Sequence, residues 1–422
     1  MYKLFLAAVS IAAIAAPAQA DTILAGNLIA DASEGALGPA TIVTDGDRIV
    51  SVTAGLQTPD PANGDVHDLT GKTVMAGLID MHVHITGDPS GEYWRAATTP
   101  DEWGVIVGVK NAAITVKSGF TTVRDLGPRG PQSAYVLRRG IAEGYVVGPR
   151  IIASGPSIAI VGGHGDVNGF RPEVNELLDD GFNCTGPTEC AEKVRLASQN
   201  GADVIKITAT GGVLSQQGRG LEAHFTDAEM KSIADTAHSL GIKVAAHAHG
   251  ARGIEAAARA GIDTIDHGTY ADDAALRAMK ANGSYFVPTL AAFEGVRQGM
   301  AQGRYTPVVN AKIREVMSQV GKPIRPAIDM GVKIAFGTDA GVFPHGQNAM
   351  EFKLLVDAGM TPGQALESAT LVAAEALGMQ NEIGRVAEGM SADIIAFDGD
   401  PYADVTVLES VDWVMARGSV VE

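Results

Sequence analysis

The chain has 422 residues, 46% of them hydrophobic and 19% charged, with 51 glycines and a formal net charge of −17. That length exceeds one small core and suits a barrel of roughly 250 residues or more with an accessory domain. Such acidity excludes nucleic acid and anionic membrane surfaces as natural partners, while favouring solubility.

Met1 to Lys3 make a short basic start, Leu4 to Ala16 an apolar run, and Ala18-Gln19-Ala20 a small-x-small site. This is the layout of a secretory signal peptide over residues 1–20. The apolar run falls short of the about 20 residues that span a bilayer. An uncleaved anchor is the alternative; a lipoprotein leader would need a cysteine after Ala20, where Asp21 stands. The expectation is cleavage before Asp21, a periplasmic or secreted protein, and no stable membrane insertion afterwards.

Residues 21–75 read as short β segments, Thr22–Ala25, Ala40–Val43 and Arg48–Val52, with Asp45-Gly46 as a hairpin turn signal. The other end is similar, with Ala392–Phe397, Trp413–Ala416 and Gly418–Val421. One small β-sandwich domain built from both termini, 21–75 plus 380–422, is therefore expected. Between them, over 76–379, short apolar strands alternate with helical stretches. The strands are Gly77–His82, Thr121–Asp125, Arg150–Ser154, Val204–Thr208, Lys243–His247, Thr264–His267, Tyr285–Thr289 and Lys333–Asp339. Helices include Thr226 to Leu240, with Thr226 as N-cap and Gly241 as stop, and Ala251 to Ala260. Eight such units close most naturally into an α/β fold of the (β/α)₈ TIM-barrel type. The insert from Gly155 to Pro187 is too long for a simple connection and reads as an active-site loop or lid. Cys184 and Cys190 lie at its end. In an oxidising compartment they suit a disulfide; a two-thiolate metal site would lack a second pair of ligands nearby.

His82, His84, Lys206, His247, His267 and Asp339 all fall at, or just past, the C-terminal ends of expected strands. In such a barrel those ends share one mouth, where active sites are built. A lone histidine is more often structural, but four of them with an aspartate at one level point to a metal centre. Neutral imidazole and carboxylate together suit Zn²⁺ and similar ions. His82 and His84 project on the same side of their strand and could grip one ion together. Asp339 could bind metal, take a proton from the attacking water and return it to the leaving nitrogen. Lys206 is the odd member, because an ammonium repels a cation: it is either neutralised by burial or chemically changed.

Met75-Ala76-Gly77-Leu78-Ile79-Asp80-Met81-His82-Val83-His84 resembles the entry motif of the amidohydrolase superfamily. Gly384-Arg385-Val386-Ala387-Glu388-Gly389-Met390-Ser391-Ala392-Asp393 is similar to that superfamily's return into its small β domain. The likeness covers nearly the whole chain after the leader. It implies the binuclear branch: two divalent ions, with Lys206 carboxylated by CO₂ and bridging them. His82, His84 and Asp339 would then hold one ion, His247 and His267 the other, and a shared hydroxide would be the nucleophile. The bland alternative is a structural lysine beside a single metal.

Within the superfamily the chain resembles the Xaa-Pro dipeptidase and imidazolonepropionase-related group, which includes exported carboxypeptidase-like and ochratoxin-hydrolysing members. The segments that carry this are Gly162-Gly163-His164-Gly165-Asp166, Thr210–Ser215 and Ala246-His247-Ala248-His249-Gly250. By this likeness His164 polarises the scissile carbonyl, the alternative being a loop-stabilising histidine. His249 stands where several relatives have a tyrosine that meets the substrate carboxylate, so carboxylate recognition departs from the pattern here. Arg219 and Tyr270 are the substitutes for it, although Arg219 also reads as a solvated loop charge. His345 is expected to support the site from behind, and His67, His224 and His238 to be structural or superficial.

The resulting expectation is an enzyme that hydrolyses the amide of a dipeptide or N-acyl amino acid, in the manner of a dipeptidase or carboxypeptidase. A cyclic amidase or lactonase using the same site, and a non-catalytic metal-binding relative, are the alternatives. Fold alone never establishes activity. Members of the group often assemble, which admits a homo-oligomer.

Overall fold

The computed structural model describes residues 20–60, 64–89, 93–216 and 220–422, so the expected leader up to Gln19, and Arg219, lie outside the described residues. The strands, in chain order, begin with β1 (Asp21–Ile29), β2 (Ala40–Asp45), β3 (Arg48–Ala54) and β4 (Val66–Ala76). There follow β5 (Leu78–Val83), β6 (Phe120–Asp125), β7 (Arg150–Ala153), β8 (Ala159–Ile160), β9 (Asn183–Cys184) and β10 (Val204–Thr208). The chain continues with β11 (Lys243–Ala248), β12 (Thr264–His267), β13 (Tyr285–Val287), β14 (Ile394–Phe397), β15 (Val411–Ala416) and β16 (Ser419–Val420).

Strands from both ends join into one seven-stranded sheet, ordered β16-β15-β14-β4-β1-β2-β3. Its two ends meet. Ile49 N donates to Met390 O at 2.9 Å, and Ala392 N to Asp47 O at 2.8 Å. The turn before β16 presses on the β2–β3 turn so closely that a Cβ on Gly418 would lie 1.8 Å from Gly46 O. The two layers of this small domain are thus halves of one curled sheet, closed over Ile23, Leu28, Ile42, Ile49, Ile394 and Met415. The central strand β4 escaped the sequence reading. Its polar His67, Asp68 and Lys72 break the apolar alternation, and it is held as a strand by β1 on one side, parallel, and β14 on the other, antiparallel.

The barrel strands form two parallel arcs, β5-β6-β7 and β10-β11-β12-β13. Bonds from Asp203 N to Ala153 O (2.9 Å) and Ile158 N to Lys206 O (2.8 Å) join the arcs on one side. On the other side, residues 333–340 bridge them: Phe286 N donates to Lys333 O at 2.8 Å and Asp339 N to His82 O at 2.7 Å. This eighth position was expected as a strand over Lys333–Asp339 and is irregular instead, with only isolated bridges. Two features cause it. Thr338 N reaches the Asp80 carboxylate at 3.1 Å, and Asp339 turns into the left-handed region at φ 61°, so no regular ladder can run through them. The seventh strand also stops early, at Val287, because Pro288 follows and Thr289 is left-handed at φ 53°.

Helices pack outside the arcs. The helix Asp227–Ser239 starts with a reciprocal capping box between Thr226 and Glu229, as the sequence pattern requires. The insert after β7 carries the β8–β9 pair, the helix Pro172–Leu178 and the disulfide Cys184–Cys190. Among the described residues no helix is long and apolar enough to cross a membrane.

Candidate active site

The first and last barrel positions bring three ligand candidates together. His82 and His84 leave the end of β5, and Asp339 sits on the turn beside it. Asp339 Oδ1 lies 3.1 Å from His84 Nε2 and 3.6 Å from His82 Nε2. One atom from each of the three falls within 4.8 Å of the others, the separation expected around a single ion. His84 is oriented by a 2.7 Å contact between its Nδ1 and Gly127 O, which leaves Nε2 facing the aspartate. Burial opposes protonation of His84, but the Asp339 carboxylate outweighs it and raises the pKa.

Lys206 on β10, His247 on β11 and His267 on β12 fill the rest of the mouth. The His247 and His267 rings are 4.6 Å apart, and His82 and His267 rings 5.0 Å apart. Burial holds His82, His247 and His267 well below the usual histidine pKa, so they present neutral nitrogen. His267 is fixed by a 2.7 Å contact from its Nδ1 to Thr289 Oγ1. Lys206 is 3% exposed, and burial pulls its amine down to about 8 against the opposing pull of Asp266 and Asp339. Neither Lys206 Nζ nor Asp339 Oδ1 has a hydrogen-bond partner among the described residues. Two buried polar atoms left open in a ring of neutral imidazoles fit a site for divalent metal, since such groups are costly without a partner.

Two residues beneath this ring went unnoticed in the sequence. Asp266, fully buried, lies 2.8 Å from His82 Nδ1 and 3.7 Å from Lys206 Nζ. Arg124 on β6, 2% exposed, points its guanidinium across the barrel interior to Asp266 at 3.3 Å, and its Nε donates to Met81 O at 2.6 Å. The pair steadies the ligand-bearing strands from below. A signal was present: alternation along Thr264–His267 directs Asp266 into the barrel, and a carboxylate there demands a partner.

His164 comes from the insert and lies against His247 with ring centroids 4.2 Å apart and the rings tilted by 41°. Ser215 Oγ contacts its Nδ1 at 2.7 Å. Lys312, buried on the helix Pro307–Val316, donates to Gly212 O at 2.8 Å and Ser215 O at 2.7 Å, and so pins the loop that holds His164. His224 stands behind, with its Nδ1 3.4 Å from His164 N. His249 is buried, contacts Thr269 Oγ1 at 2.8 Å, and is pushed by burial, Lys312 and Lys206 down to about 3. It is a neutral group at physiological pH and offers a substrate carboxylate no charge. Tyr270 does not line the cavity; it packs beside Val213, Leu221 and Phe293. His345 bridges Thr115 Oγ1 (2.9 Å) and the carbonyl of His84 (3.1 Å), supporting that residue from outside. His67 lies near Asp21 and Trp413, and His238 pairs with Asp263 on the surface.

The imidazoles, Lys206 and Asp339 line a cavity of about 330 Å³. Val213, Leu214, Phe293, Val296 and Val342 supply an apolar wall, and the insert contributes Pro156, Ser157, His164, Gly165 and Asp180. This is the makeup of a small-molecule site, with few polar groups converging on an apolar chamber.

Comparison with known proteins agrees with this geometry. Ochratoxinase from Aspergillus niger is 33% identical over 356 residues, which cover 80% of this chain and 72% of that protein. Among solved structures, a Xaa-Pro dipeptidase with methionine bound in its active site is 38% identical with a TM-score of 0.88, covering 95% of this chain and 99% of its own. A prolidase complexed with N-methylphosphonate-L-proline is 31% identical with a TM-score of 0.86, covering 96% and 99%. Residues 73–421 match the amidohydrolase family, and the chain belongs to it.

Proposed function

We infer that this protein is a metal-dependent amide hydrolase acting on dipeptides or N-acyl amino acids, as a dipeptidase or carboxypeptidase does. The observation that carries the reading is the convergence of His82, His84, Lys206, His247, His267 and Asp339 on one apolar chamber. The amide-cleaving relatives support it: ochratoxinase, the Xaa-Pro dipeptidase and the prolidase. The site suits two divalent ions, zinc before others, with His82, His84 and Asp339 holding one and His247 and His267 the other. Lys206 carboxylated by CO₂ would join them, which the open, buried position of its nitrogen supports. Bound ions supply Lewis acidity and water that ionises near neutral pH.

The side chains do the rest. Asp339 can accept the proton of the attacking water and deliver it to the leaving nitrogen. His164, kept neutral by burial and oriented by Ser215, can donate to the carbonyl oxygen as charge develops there. The wall of Phe293 and Val296 excludes water and receives the substrate's apolar part. Export through the leader of residues 1–20 belongs to the same reading and is supported by the Cys184–Cys190 disulfide, a bond suited to oxidising compartments.

The test is a turnover screen of the zinc-loaded protein against dipeptides and N-acyl amino acids, with a Lys206→Ala control. Release of free amino acids is expected, and a loss of at least about a hundredfold in the control. Absence of turnover at full metal content would overturn the peptidase reading and redirect the search to lactams and lactones.

A further inference from the structure

One buried carboxylate stands behind the ligand ring with no task in the reading above. Glu351, on the helix Met350–Asp357, is fully buried. It reaches across to the helix Leu290–Ala301, where Oε1 accepts from Leu290 N at 2.9 Å and Oε2 from Ala291 N at 2.6 Å. These are the first two amides of that helix, among the four that find no partner inside it. The N-cap residue, Thr289, would ordinarily serve the amides of the first turn with its own hydroxyl. Here that hydroxyl makes no cap bond and meets His267 Nδ1 at 2.7 Å instead. Thr289 Oγ1 has a single hydrogen and donates it to Pro288 O at 2.8 Å, so toward His267 it is the acceptor. His267 is thereby held with its proton on Nδ1, which leaves the lone pair of Nε2 for a metal.

Thr289 needs holding from outside. Its φ is 53°, and a β-branched residue keeps a left-handed conformation only where its surroundings fix it. The fixture is itself anchored. Glu351 N donates to Asn348 O at 3.1 Å, and Asn348, also fully buried, donates from Nδ2 to Asp80 Oδ2 at 2.8 Å. Asp80 Oδ1 in turn accepts from His82 N at 3.1 Å. The turn from Asn348 to Glu351 therefore takes its bearings from the His82 end of the ring and passes them to the His267 end. If capping were the whole purpose, the Thr289 hydroxyl could help satisfy the first turn with no carboxylate buried, and burying one is costly. What the carboxylate adds is the release of that hydroxyl for His267.

We propose that Glu351 is a positioning residue for the ion assigned to His247 and His267: by capping the helix in place of Thr289, it frees the hydroxyl that orients His267. This rests on the two-ion hydrolase reading. The test is calorimetric titration of the metal-depleted full chain with zinc, bicarbonate present. His267→Ala identifies the binding step that belongs to this ion. Glu351→Gln, which turns an amino group toward one of the two amides, is expected to weaken that step about tenfold and to leave the other unchanged. Thr289→Val, which lacks the hydroxyl, should do the same, and Thr289→Ser should bind as wild type does. The double variant Glu351→Gln/Thr289→Val should lose no more than either single variant, because both changes act on one contact. A purely structural carboxylate would give additive losses. Where Glu351→Gln fails to fold by circular dichroism, Glu351→Asp, one methylene short, takes its place and should show a smaller loss at the same step. Additive losses, equal losses at both steps, or undiminished affinity in the Glu351 variants overturns the proposal and leaves the hydrolase reading standing. If His267→Ala weakens no zinc step, the ligand assignment falls and the proposal with it.

Discussion

At Gly212 the backbone runs so close to His164 that a Cβ would lie 2.3 Å from the ring's Nδ1. Only a residue without a side chain lets the imidazole sit between Ser215 and His247. Gly212→Ala is therefore expected to displace His164 and lower kcat/KM by about a hundredfold, because a shift of about 1 Å in a positioned group costs that much. Circular dichroism should stay near wild type, since the substitution falls in a loop and alters no helix or strand. Full activity in this variant would exclude His164 from the reaction. The same scale explains the Arg124–Asp266 pair: buried charges persist where each satisfies the other, and here the carboxylate also meets His82.

Among the elements, the insert between β7 and β10 matters most to the chemistry. It delivers His164 and Asp180 to the mouth, yet ahead of the helix Pro187–Gln199 its regular structure is limited to the two-residue strands β8 and β9 and the helix Pro172–Leu178. The disulfide closes a loop with a sequence separation of 6 inside it. Loop-closure entropy for so short a ring is worth about 2 kcal/mol. A Cys184→Ser/Cys190→Ser variant should lose about that much in urea unfolding. It should also raise KM more than it lowers kcat, because the ligand ring stands on other strands and His164 is held separately by Ser215 on the loop that Lys312 pins. A fall in kcat with KM unchanged would place the insert's influence on the reacting groups and contradict a binding role.

For the whole molecule, Glu351 links folding to pH. Its carboxylate is fully buried, accepts from Leu290 N at 2.9 Å and Ala291 N at 2.6 Å, and is raised by burial from 4.5 to about 8. A folded-state pKa above the unfolded one favours the protonated fold. This contribution is complete below about pH 4.5 and is lost as pH rises through about 8. Urea midpoints should accordingly fall across that window in wild type, and the Glu351 share of the fall should vanish in Glu351→Gln. An unchanged slope in the variant would assign the dependence to other groups.

What the sequence determined by itself was the periodic and local part. Strand ends carrying His82, His247 and His267, the capped helix after Thr226 and the paired cysteines follow from alternation, capping chemistry and spacing, which act within a few residues. Tertiary structure decided the rest. The β4 strand exists because two distant segments hydrogen-bond to it, the eighth barrel position is irregular because Asp80 captures Thr338, and Asp180 meets the cavity from the long insert after β7. Those outcomes depend on contacts between residues remote in sequence, and no local pattern carries that information.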